Sequence, residues 1–202
     1  MKIYMIPLLV FVGVLFCAFD QRNTINDHEY VDLGLSVMWA TCNIGADNPE
    51  EYGNYFAWGE TEPKEEYTRE NCKTGWKEIG NVKGTSRDVA HVKWGSPWRM
   101  PTLEEFQELI DNCDWEWVMP KGKITGYRVT SKKNGNSIFL PAAGWRYGVL
   151  LYNAGEGSFY WSSTPYESGT QNAYGLYFSN DYYDWDWSDR SDGHSVRAVF
   201  EF

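Results

Sequence analysis

The chain has 202 residues, a net charge of -10 at neutral pH and 17% aromatic residues. That balance excludes nucleic acid as a partner, because neutralising phosphates needs an excess of Lys and Arg. Beyond a leader, about 180 residues remain, which is one domain by length and enough to bury roughly 70% of its unfolded surface.

The chain opens Met1-Lys2 and runs apolar from Ile3 to Phe19 before its first acid, Asp20. One positive charge ahead of a short apolar run is the pattern of an export signal. A membrane span needs about twenty apolar residues, and Pro7 interrupts this one. Residues 1–19 therefore read as a signal or lipoprotein leader. Val14-Leu15-Phe16-Cys17 resembles a lipobox, which would lipidate Cys17 and give the protein a membrane lipid anchor. Cleavage after Ala18, releasing a soluble product, is the competing route. An uncleaved anchor comes last. The expected location is the periplasm or cell surface.

Residues 20–29 are polar and read as a tether, leaving 30–202 as the domain. From Tyr30 to Asn43, Val31, Leu33, Leu35, Val37 and Trp39 alternate with a period of two, which predicts a strand. Tyr55 to Trp58 is a short apolar run. Glu60 to Gly95 is charged, rich in glycine and irregular, and Trp76 and Trp94 are expected to pin it to the body.

The clearest helix runs from Thr102 to Cys113. Thr102 is its N-cap, Glu105 completes a capping box, and Leu103, Phe106, Leu109, Ile110 and Cys113 share one face. Strands follow at 115–118, 127–133, 136–140, 158–163, 174–178, 185–188 and 195–202. Asn134-Gly135 predicts a two-residue hairpin. Few helices among short strands and long loops make an α+β class. Trp98 and Trp161 read as core anchors, and Arg197 as pairing within the strand layer.

Among motifs for chemistry, GxSxG, HExxH, the Walker loop and GxGxxG do not occur. His28, His91 and His194 flank no nucleophile motif. Ser162-Ser163 reads as strand-end hydroxyls bonded to backbone. Cys42, Cys72 and Cys113 allow one disulfide and one thiol, or three small buried hydrophobes; their spacing fits no zinc site. Asp181, Asp184, Asp186, Asp189 and Asp192 are hard-cation ligands, so calcium is conceivable. The spacing is not that of an EF-hand, and solvated loop acids are the simpler reading.

The remaining signal is compositional. From Tyr152 to His194 there are twelve aromatics in forty-three residues, and no lysine follows Lys133. Tyr and Trp among Ser, Asn, Asp and Gly make the mixture used by binding loops. A simple aromatic core accounts for Trp161, Leu176 and Phe178. It does not account for 180–189, where polar and aromatic residues are too mixed for all the rings to be inside. This reads as a recognition surface for a protein or glycan.

Several blocks resemble a known family. They are Val31 to Val37 (VDLGLSV), Trp39 to Asn43 (WATCN), Tyr52-Gly53, Tyr55 to Thr61 (YFAWGET), Trp98 to Thr102 (WRMPT), Leu140 to Gly144 (LPAAG), Tyr160 to Ser163 (YWSS) and Ser195-Val196-Arg197. In order, and covering about 30–199, they resemble the Fibrobacter succinogenes major paralogous domain family, abundant in gut Bacteroidetes. That family is similar to the formylglycine-generating-enzyme branch of the C-type lectin fold. The resemblance implies a C-type-lectin-like α+β fold with paired terminal strands and long loops. The oxidase of that branch uses a late cysteine pair, whereas no cysteine follows Cys113 here, so the domain is expected not to be an enzyme.

Some members of the family are variable proteins of diversity-generating retroelements, whose final segment is rewritten at adenines. By that resemblance, specificity would reside in Tyr174, Gly175, Tyr177, Asn180, Asp181, Tyr182, Tyr183, Asp184, Trp185, Asp186, Trp187, Ser188, Asp189, Ser191, Asp192, Gly193 and His194. Leu176, Phe178, Arg190 and Ser195-Val196-Arg197 would frame it. An enzyme on the same fold and a structural envelope or fimbrial component are the alternatives.

Overall fold

A computed structural model describes residues 23–119 and 124–202. The leader, Cys17 and the first three tether residues lie outside the described residues. The body is built mostly of antiparallel strands, with two helices. One sheet has the order β1 (Thr24–Ile25), β2 (His28–Val31), β3 (Met38–Asn43), β12 (Arg197–Phe200). The first and last long strands of the domain thus pair, with Val199 opposite Trp39. A second sheet joins β4 (Cys113–Val118), β5 (Gly126–Ser131) and β6 (Ser137–Pro141). A third runs β11 (Tyr182–Asp189), β10 (Asn172–Ser179), β9 (Gly157–Pro165). β7 (Trp145–Tyr147) and β8 (Leu150–Tyr152) form a separate hairpin.

Alternating side chains explain the arrangement. On β3, Met38 and Ala40 enter one apolar cluster while Trp39 enters another. β9 sends Phe159 and Trp161 to the first and Tyr160 to the second, and β12 divides Ala198 and Phe200 from Val199 in the same way. Strands buried on both faces read as near-continuous apolar runs, as Phe159-Tyr160-Trp161 does. Trp98 and Trp161 are fully buried, as expected of core anchors.

Helix α2 (Leu103–Asn112) starts where its sequence requires. Thr102 Oγ1 accepts from Glu105 N–H, and a Glu105 oxygen accepts from Thr102 N–H at 2.8 Å. Phe106 and Leu109 bury its apolar face in the second cluster.

Several expectations are corrected. Thr24 to Val31 is a hairpin rather than tether, and the His28 ring stacks on Trp94 at 3.8 Å. The alternation from 30 to 43 is not one strand. Asp32 Oδ1 accepts from Gly34 N–H at 2.6 Å, and a turn separates β2 from β3. Leu33 and Val37 are buried from within that loop, which mimics strand periodicity. The Asn134-Gly135 turn is longer than two residues: Ser131 N–H reaches Asn136 O at 2.8 Å. The side-chain amides of Asn134 and Asn136 are both spent on the Asp32 carbonyl.

Trp76 does not pin the loop; it is 60% exposed, beneath the Arg69 guanidinium. Thr74 holds that loop instead, its hydroxyl donating to Trp58 O at 2.8 Å. The loop also contains an unexpected short helix, α1 (Val89–Trp94). Asp88 caps α1 and, fully buried, also accepts from Met100 N–H. Cys42, Cys72 and Cys113 are all free thiols.

Candidate functional site

β10 and β11 form a hairpin at the edge of their sheet. Ser179 stands opposite Tyr182 and Asn172 opposite Asp189, so Asn180-Asp181 is the turn. Successive side chains point to opposite faces. One face carries Tyr174, Leu176, Phe178, Tyr183, Trp185 and Trp187. The other carries Ala173, Gly175, Tyr177, Tyr182, Asp184, Asp186 and Ser188.

The first face grades from core to solvent. Leu176 and Phe178 are buried, and Tyr183 stacks flat on Trp115 at 4.5 Å. Trp185 and Trp187 remain 41% and 49% exposed. The Trp185 indole N–H donates to Gln107 Oε1 on α2 at 2.9 Å, and its ring meets Tyr174 edge-on. Trp187 lies 5.5 Å from Tyr166. Tyr182, on the second face, is 51% exposed. Of the four rings in 180–189, Tyr182, Trp185 and Trp187 are exposed, divided between two faces, and Tyr183 is half-buried.

β11 pairs only with β10, so its outer backbone N–H groups have no strand partner. Asp184 and Asp186 meet that need. Each accepts from the next residue's N–H, Trp185 at 2.8 Å and Trp187 at 2.7 Å. Charged side chains on an edge strand also discourage pairing with other chains.

The acids do not form one site. Asp181 and Asp186 are exposed. Asp189 is ion-paired with Arg69, and Asp192 accepts from Ser188 Oγ at 3.2 Å. Among the described residues, no group of three or more His, Cys, Asp or Glu converges as a metal site.

The end of the predicted segment is interior rather than surface. Ser191 and His194 are buried, and His194 exchanges backbone hydrogen bonds with Phe56. A Cβ on Gly193 would fall 2.6 Å from the Tyr67 ring. Arg190, expected in the frame, is buried over the Trp58 ring at 4.3 Å.

On the second face, a cleft of about 220 Å³ is lined by Trp145, Phe159, Tyr177, Asp186, Trp187, Ser188 and His194. Gly175 makes it possible: a Cβ there would meet the Phe159 ring at 2.3 Å. The His194 ring stacks on Phe159 at 4.4 Å, and its Nε2 lies 2.8 Å from Ser188 Oγ. Burial pushes His194 down to about 3, so it is neutral at ordinary pH. Burial, with the Asp189 charge beside it, raises Asp192 to about 6.

Ser188 thus lies between a carboxylate and an imidazole. A nucleophile triad would place the carboxylate on the far nitrogen of the imidazole. Among the described residues, no carboxylate lies on His194 Nδ1.

The sequence segment 174–194 did not include Trp145, Phe159 or Tyr166. Trp145 reaches Tyr177 across the sheet, with ring centroids 6.3 Å apart. Beyond it, Tyr147, Val149 and Leu150 expose an apolar tip. Four apolar residues in 149–152 beside Gly148 were the available signal.

These features define a mostly antiparallel domain that presents an aromatic and acidic edge hairpin. Residues 125–199, which span β5 to β12 and include the whole hairpin, match a domain of unknown function (DUF8237). No curated protein and no solved structure matches the chain.

Proposed function

We propose that the protein is an exported, C-type-lectin-like binding module whose β10–β11 hairpin recognises a protein or glycan ligand. The exposure of Tyr182, Trp185 and Trp187 beside Asp181 and Asp186 carries the reading. Large rings left in water are costly to keep without use, and Tyr and Trp give contact area at low entropic cost. Asn180 to Asp189 lies on the surface or is half-buried, and apart from Tyr183, which packs on the second cluster, substitution there leaves the core untouched. That supports a diversified segment, centred on the hairpin rather than on the buried Ser191 to His194.

A second reading, an enzyme on the same fold, draws on the cleft with His194 and Asp192. Its imidazole is held neutral, weakly basic and without an orienting carboxylate, which favours binding over catalysis.

The test is a glycan and protein array probed with the wild type and with a Tyr182→Ala, Trp185→Ala, Trp187→Ala triple variant. A ligand captured by the wild type and lost by the folded variant supports the reading; equal capture by both sinks it. An adenine-rich near-copy of the final coding segment beside a reverse-transcriptase gene would test diversification. Radiolabelled fatty acid incorporated at Cys17, and absent from Cys17→Ser, would test the lipid anchor.

A further inference from the structure

The cleft beside the hairpin differs in chemistry from the outer rings. Its floor is the buried Phe159 ring, and Trp145 and Tyr177 stand half-buried at its sides. Among the described residues that line it, Asp186 alone is charged. The arginines on neighbouring segments are engaged elsewhere: Arg146 lies over the Tyr55 ring, and Arg69 pairs with Asp189. Asp184 shares the face with Asp186, which deepens the negative potential.

The charge left in the cleft is one-sided. Ser188 gives its proton to Asp192 and also meets His194 Nε2. Asp186 Oδ1 takes the Trp187 N–H, which leaves the other carboxylate oxygen to a ligand. A carboxylate only accepts. A sugar ring, being neutral, gains nothing from that uncompensated charge. Aromatic faces and a carboxylate together attract a positive charge. The volume is below the 300 Å³ or so of a drug-sized site, which suits a single head group.

We infer that the Trp145–Tyr177–Asp186 cleft binds an organic cation, either a quaternary or protonated amine or a guanidinium. The inference rests on reading the hairpin as a recognition surface, and it adds the ligand chemistry. His194 suits the ligand because it stays uncharged and does not repel it. The cation comes either from a small molecule or from a Lys or Arg side chain of a protein ligand. Gly175 keeps that floor in place, because a Cβ there would meet both the Phe159 ring and the Tyr160 carbonyl oxygen at 2.3 Å.

The experiment titrates the full chain by NMR with choline, n-butylammonium and N-acetylarginine amide. The neutral controls are 3,3-dimethylbutan-1-ol, which has the shape of choline, and methyl glucoside. At least one cation should bind about tenfold or more tightly than the neutral isostere, a preference that corresponds to one or two cation–π contacts. Binding should weaken with added salt. Asp186→Asn, at an exposed position, should abolish the preference, while Glu104→Gln, an exposed acid on α2 outside the cleft, should leave it intact. A preference for choline assigns a small-molecule source, and one for the arginine derivative a protein side chain. Equal binding of the isostere, an unchanged Asp186→Asn variant, or no cation bound overturns the inference. If no cation binds while the outer rings still capture an array ligand, the inference falls alone and the recognition reading stands.

Discussion

The β3–β12 seam and the β10–β11 hairpin are both antiparallel pairs, yet they use polar residues in opposite ways. In the seam, Arg197 is fully buried, and among the described residues its side chain bonds to no carboxylate. Its Nε donates to Asn43 Oδ1, its Nη1 to the carbonyls of Ala40 and Thr41, and its Nη2 to Phe139 O. Asn43 in turn donates to Tyr52 O and to the Tyr160 hydroxyl. All but the Asn43–Tyr52 bond join residues at least 58 positions apart, and together they tie the seam from within. At the hairpin, polar and aromatic side chains face water and hold little else in place. A buried charge ties many partners together, so its sequence is constrained. An exposed ring ties few, so its sequence is free to serve recognition.

The sharpest way to break that contrast is Arg197→Met. The apolar chain fills the space but leaves Asn43 Oδ1 and three carbonyls without donors. Each unsatisfied buried acceptor costs about 1–3 kcal/mol, so about 4 kcal/mol or more of stability should be lost. Urea denaturation reads it. A loss under about 1 kcal/mol would mean the seam does not depend on its arginine.

Asp192 tests the boundary between the two regions by pH. Its folded value, about 6, lies above its ordinary 3.8. Its contribution is therefore full below about 4 and lost as pH rises through 6. Asp192→Asn, which keeps an acceptor for Ser188, should stabilise the protein at pH 7 by about 1–2 kcal/mol after allowing for solvent screening. That gain should vanish by pH 4. His194 runs the other way: its depressed value contributes stability above 6.5 that is lost as pH falls toward 3. In Asp192→Asn the His194 loss is unopposed, so its melting temperature should fall more steeply than wild type from pH 6.5 to 4. Parallel melting curves would remove the buried pair from the account.

Thr102→Ala probes the start of α2, an element outside both strand pairs. Loss of the cap should cost about 1 kcal/mol in the same urea assay, with ligand capture unchanged. An unchanged midpoint would show that Glu105, which also grips Arg99, holds the helix start alone.

Helix α2 was legible because its signals are local: a cap, a capping box and one apolar face within twelve residues. Strands β9, β10 and β12 were legible because their side chains alternate around a dense apolar run. Helix α1 and the β7–β8 hairpin were not. Asp88 is held through Met100, twelve residues away, and the hairpin through Arg146 with Gly193 and Tyr67 with Gly148. The exposed rings could be inferred from composition, but their division between two faces needed the register of β10 on β11. The cleft was hidden for the same reason: β9–β10 pairing sets Phe159 opposite Tyr177, and isolated bridges from Gly144 and Arg146 bring Trp145 alongside. Nothing in the order of residues marks His194 as interior, since its burial follows from backbone pairing with Phe56.

The smallest expected effect on stability carries the most weight for function. Tyr182→Ala, Trp185→Ala and Trp187→Ala remove rings that are 41–51% exposed. Substitutions at such positions usually move stability by no more than about 0.5 kcal/mol. Tyr182 and Trp187 should behave so. Trp185 should lose slightly more, because it also gives up its bond to Gln107. The same three changes should remove ligand capture. Stability losses like that of Arg197→Met would place these rings in the framework with the seam. They would then be core residues that happen to be partly wet, and the distinction between a constrained seam and a free hairpin would fail.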